Sequence, residues 1–300
     1  MPTTPPALPA TACSVVSRSL DEPFAGTAAT ATTWVCLEQP GPWGRDALVD
    51  SHLDHAVGAE LVARSKGTGV RVVLIRRPGK HPDRHSPRPA RVYLAHTAPG
   101  HTELRQATLT EPKDLLDLDF AAAGAGDFGD FGTQVAGPLL LVCTNGRRDV
   151  CCALRGRPIA DELAHGDAVW ECTHIGGHRF APTALLLPTG YSYGAIDVDF
   201  ARRLLGGTEV VADRCRGRST WHPAAQAAEL VVRSQIGVTD PDALLVADPI
   251  RDGDWQVAIT HVDGRTWNVS VAQRDAVPDR AASCGAQPGP VVTYQPQRIE

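Results

Sequence analysis

The sequence predicts a mixed α/β chain that turns α+β toward its C-terminal end. Three observations carry this. Short apolar runs such as Val70–Ile75 and Leu139–Cys143 alternate with stretches whose apolar residues recur at helical spacing, as between Asp46 and Ala63. Hydrophobic residues make up 43% of the 300, enough to bury a sizeable core and to allow two domains, or one large domain with an added lobe. Beyond residue 208, Trp255–Thr260 and Thr266–Val271 alternate as a hairpin around Asp263-Gly264.

Residues 1–12, rich in Pro, Thr and Ala, read as a disordered tail. They show no basic region followed by a long apolar one, and no run in the chain approaches bilayer length, so a cytoplasmic protein without a membrane partner is expected. A net charge of −5 argues against bulk nucleic-acid binding. In that compartment the 8 cysteines would stay reduced or hold metal.

Residues 13–120 read as an N-terminal α/β lobe. Its strands are the segment around Val35, Val70–Ile75, Val92–His96 and Leu104–Leu109; its helices are 46–63 and a short one at 111–118. The loop 76–90 contains His81 and His85 but no cysteine, and is read as solvated. Residues 121–137 look like a Gly-rich linker. Gly124, Gly126 and Gly129 spell a dinucleotide fingerprint there, yet the strand before and helix after are missing and Asp127 and Asp130 would repel a pyrophosphate.

Residues 138–208 give strand 138–143, a helix from Pro158 to about Ala164, strands 168–172 and 181–187, a short strand near 193–196, and a helix capped by Asp197. This β-α-β-β-β-α order fits a thioredoxin-like fragment with a mixed sheet. Residues 209–300 read as an α+β extension, with a helix over Pro223–Arg233.

The chemistry concentrates where LLLVC and AVWEC end. Cys143 and Cys152 have eight residues between them, and His174 and His178 have three. Two Cys and two His are a common zinc set, but finger histidines ride a helix. Here they flank Gly176-Gly177, which would cost a helix about 2 kcal/mol relative to alanine, so the segment reads as a loop. Glycines let backbone N–H groups approach anionic sulfur. One cysteine pair and one histidine pair also suit the two irons of a [2Fe–2S] cluster. The spacing favours the cluster, with a zinc-stabilised binding module on the same four residues as the alternative.

Cys143, Cys152, His174, Gly176, Gly177 and His178, with Gly146, Arg148, Asp149 and the Arg179–Pro182 continuation, resemble the signature of the sucrase/ferredoxin-like (Apd1-type) family. The segment is similar also to thioredoxin-like [2Fe–2S] ferredoxins over about 138–208. Weaker family-like phrases stand at 26–28, 41–44, 216–219, 226–229 and 283–286. The resemblance implies a non-enzymatic electron carrier whose [2Fe–2S] cluster has Cys143 and Cys152 on one iron and His174 and His178 on the other. Two neutral imidazoles in place of thiolates should raise the potential toward the Rieske range of about −150 to +300 mV, and their second nitrogens could couple a proton to the electron. Nothing in the chain matches the paired carboxylates of a glycosidase.

Other motifs are weighed against this site. Gly190–Gly194 matches a serine-hydrolase elbow at Ser192, with Asp213 and His222 or Asp252 and His261 downstream, but no helix follows directly. Cys151 reads as a bystander and Cys172 as a buried apolar residue, while Cys13, Cys36, Cys215 and Cys284 have no partner at metal-ligand spacing. Arg147, Arg148, Arg155, Arg157 and Arg179 either form a solvated surface or dock an acidic redox partner, a reductase or an acceptor. Asp149 either neutralises one of them or shapes the Cys loop.

Overall fold

The computed structural model describes residues 7–79, 89–164 and 166–300. The His81–His85 spacing and residues 1–6 of the expected tail lie outside the described residues. The chain opens with α1 (Cys13–Ser19). Strands β1 (Thr33–Glu38) and β2 (Val70–Arg76) run parallel, joined through α2 (Ala47–Asp50) and α3 (His55–Ser65). Then β3 (Ala90–His96) pairs antiparallel with β1 and β4 (Glu103–Leu109) with β3. The expected linker holds the end of α4 (Phe120–Gly124) and a two-residue strand, β5 (Thr133–Gln134), that pairs with β4.

The next segment repeats that order. Strands β6 (Leu139–Cys143) and β7 (Val169–Cys172) run parallel around α5 (Val150–Glu162), β8 (Ala184–Leu187) returns antiparallel to β6, and β9 (Tyr191–Tyr193) pairs with β8. After α6 (Val198–Gly206), capped by Asp197 as expected, β10 (Cys215–Arg218) closes the edge against β9. The two runs meet where β2 pairs antiparallel with β7, Ile75 opposite Cys172 and Arg76 opposite Glu171. All ten strands therefore form one mixed sheet, in the order β10-β9-β8-β6-β7-β2-β1-β3-β4-β5. Arg76 Nε and Nη2 donate to Glu171 Oε2 at 2.8 and 2.5 Å across that seam, and Thr144 Oγ1 donates to the same oxygen at 2.7 Å.

Strand alternation sorts the core. Trp34, Cys36, Leu139, Leu141 and Cys143 point into one apolar layer common to both halves of the sheet. On the opposite face Val35 and Leu37 belong to one cluster, and Leu140 and Val142 to another that holds Ile159 and Leu204 of the helices. The C-terminal part is a helix, α7 (Pro223–Ile236), against a five-stranded antiparallel sheet. Its strands are β11 (Leu244–Val246), β12 (Ile250–Asp252), β13 (Asp254–His261), β14 (Thr266–Arg280) and β15 (Gly289–Ile299).

Three local expectations shift. The helix expected to begin at Pro158 begins at Val150, because Asp149 caps it by accepting from Cys151 N at 2.9 Å. Pro158 lies inside it, where proline ordinarily costs about 3 kcal/mol, and the helix persists by burying Cys151, Cys152, Gly156, Ile159 and Ala160. The helix expected at 111–118 is a 3-10 turn, Pro112–Asp117, and the strand expected at 193–196 falls at 191–193.

Candidate metal centre

The four predicted ligands meet at the C-terminal end of β6, where it runs beside β7. Cys143 is the last residue of β6 and sits level with Cys172. Cys152 is not in a loop: it lies buried in the first turn of α5, where the neighbouring Cys143 and the cost of burial push its thiol up. Gly156, one turn further, lets the helix approach the strand, since a methyl group there would overlap the Cys143 carbonyl oxygen.

His174 and His178 come from the loop after β7, and the expected non-helical Gly-Gly is present. Gly176 and Gly177 have φ of +83° and +69°, a left-handed turn that glycine adopts freely. The turn brings the two imidazoles into a stack, centroids 3.9 Å apart at 21°. It leaves His178 Nδ1 3.6 Å from Cys152 Sγ. Two arginines fix this loop from below. Arg71 Nη2 donates to the His174 carbonyl at 3.2 Å, and the fully buried Arg216 donates through Nη1 to the Gly176 carbonyl at 3.1 Å. Arg216 also donates to the carbonyl of Thr27. A methyl group on Gly177 would run into its guanidinium.

Burial holds both imidazoles neutral, pushing His174 down to about 2 and His178 down to about 4, and Arg71 and Arg216 add to the push on His174. Neutral imidazole is the ligating form. The Cys143 thiol is also shifted down. A hydrogen bond from Cys152 is the main cause, and backbone N–H bonds from Asn145 and Ile175 add to it against the cost of burial.

A second group lies beside the first. Cys13 Sγ, an Asp149 carboxylate oxygen, Cys151 Sγ and Cys284 Sγ all lie within 4.8 Å of one another, and they could hold a metal ion. Among the described residues this is the group of ligand-type side chains drawn that tightly; it contains no histidine, and the predicted four do not form such a group. Spacing along the chain offers Cys13 and Cys284 no partner and leaves Cys151 a bystander of the predicted four, whereas the fold brings these three thiols together. Cys13 and Cys284 stand 271 positions apart, beyond anything local spacing can reveal. Asp149 does shape the Cys loop, as helix cap, but among the described residues it pairs with no arginine: its Oδ2 accepts from the Cys13 thiol at 3.2 Å and from Cys284 N at 2.7 Å.

The remaining candidates separate from the site. Ser192 lies inside β9, is 1% exposed, and its Oγ has no hydrogen-bond partner among the described residues. His222 instead caps α7, accepting from Ala224 N at 3.1 Å, and its ring lies tilted against Trp255, centroids 4.5 Å apart. Asp213 pairs with Arg214, and His261 with Asp263 in the distant hairpin. Cys36, Cys172 and Cys215 are buried, their thiols shifted up by burial.

A family model described as sucrase/ferredoxin-like matches residues 24–217. The chain belongs to the sucrase/ferredoxin-like family. No curated protein and no solved structure matches it. The family match takes in all but the last residue of the ten-stranded sheet and all four predicted ligands, whereas Cys13 and Cys284 fall outside it. Sequence reasoning missed Arg71, which a strand position disguised, and Arg216, whose family-like Arg-Gly-Arg-Ser phrase was the only signal. No helix among the described residues is long and apolar enough to cross a membrane.

Proposed function

We propose that this member of the sucrase/ferredoxin-like family is a cytoplasmic electron-transfer protein carrying a [2Fe–2S] cluster. Cys143 and Cys152 would hold one iron, and His174 and His178 the other. The observation that carries the reading is the meeting of two buried thiols, one at the end of β6 and one in the first turn of α5, with two neutral, stacked imidazoles from the loop after β7. The donor set fits. Both imidazoles are held neutral and the Cys143 thiol is shifted down, the forms in which these side chains bind a metal.

Such a cluster, when bound, takes up and releases one electron. The chain's own groups prepare its surroundings. The N–H groups of Asn145 and Ile175 face the Cys143 sulfur, and Arg71 and Arg216 place positive charge under the histidine loop. All of these favour added negative charge. A ligating imidazole keeps a second ring nitrogen free to take a proton as the electron arrives, so the potential should fall as pH rises; a potential flat from pH 6 to 10 removes the coupling.

The redox partner would dock on Arg147 and Arg157, which are exposed and line a cleft of about 390 Å³ with Trp43 and Asn145 beside the Cys loop. Arg148 and Arg179 are already paired, with Asp46 and Glu22. An acidic face is the expected complement, and reduction by the partner should slow as salt rises.

The deciding experiment is iron and acid-labile sulfide analysis with EPR of the dithionite-reduced protein, purified without oxygen. A reduced-state signal with matching iron and sulfide is expected. Colourless protein without iron, holding zinc that Cys143→Ser removes, would overturn the proposal in favour of a zinc-stabilised module.

A further inference from the structure

We infer that Cys13, Asp149, Cys151 and Cys284 form a closed, single-ion zinc site that fastens both ends of the chain to the first turn of α5. The thiols make a triangle with edges of 3.1 Å (Cys151 to Cys284), 3.5 Å (Cys284 to Cys13) and 3.8 Å (Cys13 to Cys151). Thiolates sharing one tetrahedral zinc at about 2.3 Å stand about 3.8 Å apart, close to these edges. A multi-iron cluster would hold its thiolates further apart than one ion does, so the triangle selects a single ion.

The fourth corner is the Asp149 carboxylate, 2% exposed. Two backbone N–H groups and a thiol point at it, yet no cationic side chain among the described residues lies within ion-pairing distance. A buried carboxylate without a positive partner is costly, and a dication supplies that partner. A disulfide does not: it would join two of the three thiols and leave the third, and the carboxylate, as they are. Three sulfur donors exclude the hard cations, and the oxygen donor favours zinc over copper(I). With all four corners taken by protein, the site is structural in kind.

The donors come from three remote places. Cys13 begins α1, Asp149 and Cys151 form the start of α5, and Cys284 lies between β14 and β15. The inference stands whether or not iron occupies the neighbouring site.

The test uses the full chain, stripped with a zinc chelator and reloaded with zinc or cobalt(II) alone. One zinc retained per chain is expected, along with a thiolate-to-cobalt charge-transfer band. Cys13→Ser and Cys284→Ser should each lose that zinc while keeping iron and visible absorption, and Cys143→Ser should do the reverse. Failure of the reloaded wild-type chain to retain any zinc overturns the inference, even if the serine variants do not fold. So does a thiol count below eight in denaturant without reductant, which would mean a disulfide. Zinc that survives Cys13→Ser but not Cys143→Ser overturns it and the electron-carrier reading together. Iron and EPR signal without zinc overturn this inference alone.

Discussion

Cys151 and Cys152 are neighbours in the chain, yet their thiols serve different groups: Cys152 Sγ lies 3.6 Å from His178 Nδ1, and Cys151 Sγ lies 3.1 Å from Cys284 Sγ. The reason is helical. Consecutive side chains in the first turn of α5 point about 100° apart, so one vicinal pair can address two sites. Cys152→Ser should abolish the visible absorption and iron content, whereas Cys151→Ser should keep both and release zinc. Metal analysis beside the absorption spectrum reads both outcomes on the same samples.

The imidazole pair should set the potential. Replacing a neutral ligand by a thiolate adds negative charge and disfavours the reduced state. His174→Cys and His178→Cys should therefore lower the midpoint, toward the roughly −400 mV of plant-type four-cysteine clusters. Protein-film voltammetry checks the direction.

Gly177→Ala meets two obstacles, a φ of +69° and the Arg216 guanidinium. Gly253→Ala meets only the first, with a φ of +64° and open space. The Gly253 change should cost about 1 kcal/mol and the Gly177 change more, up to about 3 kcal/mol, together with cluster loss. Urea denaturation of the two variants isolates the Arg216 contact.

At the seam, Arg76→Met leaves Glu171 buried without its cation. A loss of about 3–5 kcal/mol is expected, and Arg76→Met with Glu171→Leu should recover much of it. Chemical denaturation of the single and double variants tests this.

Glu22 supplies a pH dependence. Burial raises its affinity for a proton, but hydrogen bonds and charge from Arg280 and Arg179, with Ser17 Oγ, outweigh burial and leave the carboxyl below its usual 4.5. A lowered carboxylate stabilises the fold above the unfolded-state value, and that stability is lost as pH falls through the folded one. Wild-type stability should drop as pH goes below about 4.5, and Glu22→Gln should flatten that drop. Urea midpoints between pH 3 and 6 report it.

Much of the fold, and the nearness of Cys143, Cys152, His174 and His178, was legible because both are local. The runs LLLVC and AVWEC are strands, and two adjacent glycines forbid a helix between the histidines. Asp197 caps the helix it was expected to cap. What was not legible depends on distance along the chain. The contact of Cys13 with Cys284 leaves no periodic trace, and neither does Arg216 under the Gly176 carbonyl. Pro158 misplaced a helix start because proline suits a first turn by its dihedral alone, whereas the true start rests on a cap nine residues earlier. Similarly, Ser192 looked like a nucleophile in one dimension and proved to be sheet interior, its Oγ without a hydrogen-bond partner among the described residues.

The edge-to-edge join of β2 and β7 does with two segments of one chain what a symmetric homodimer does with two copies. The loop after β1 carries Trp43 against Arg76 where the loop after β6 leads to the Cys pair. One half can thus specialise as scaffold while its counterpart keeps the reactive groups, a division of labour closed to identical subunits. Co-expressed fragments severed near residue 130 should accordingly find each other through that join and rebuild the working protein.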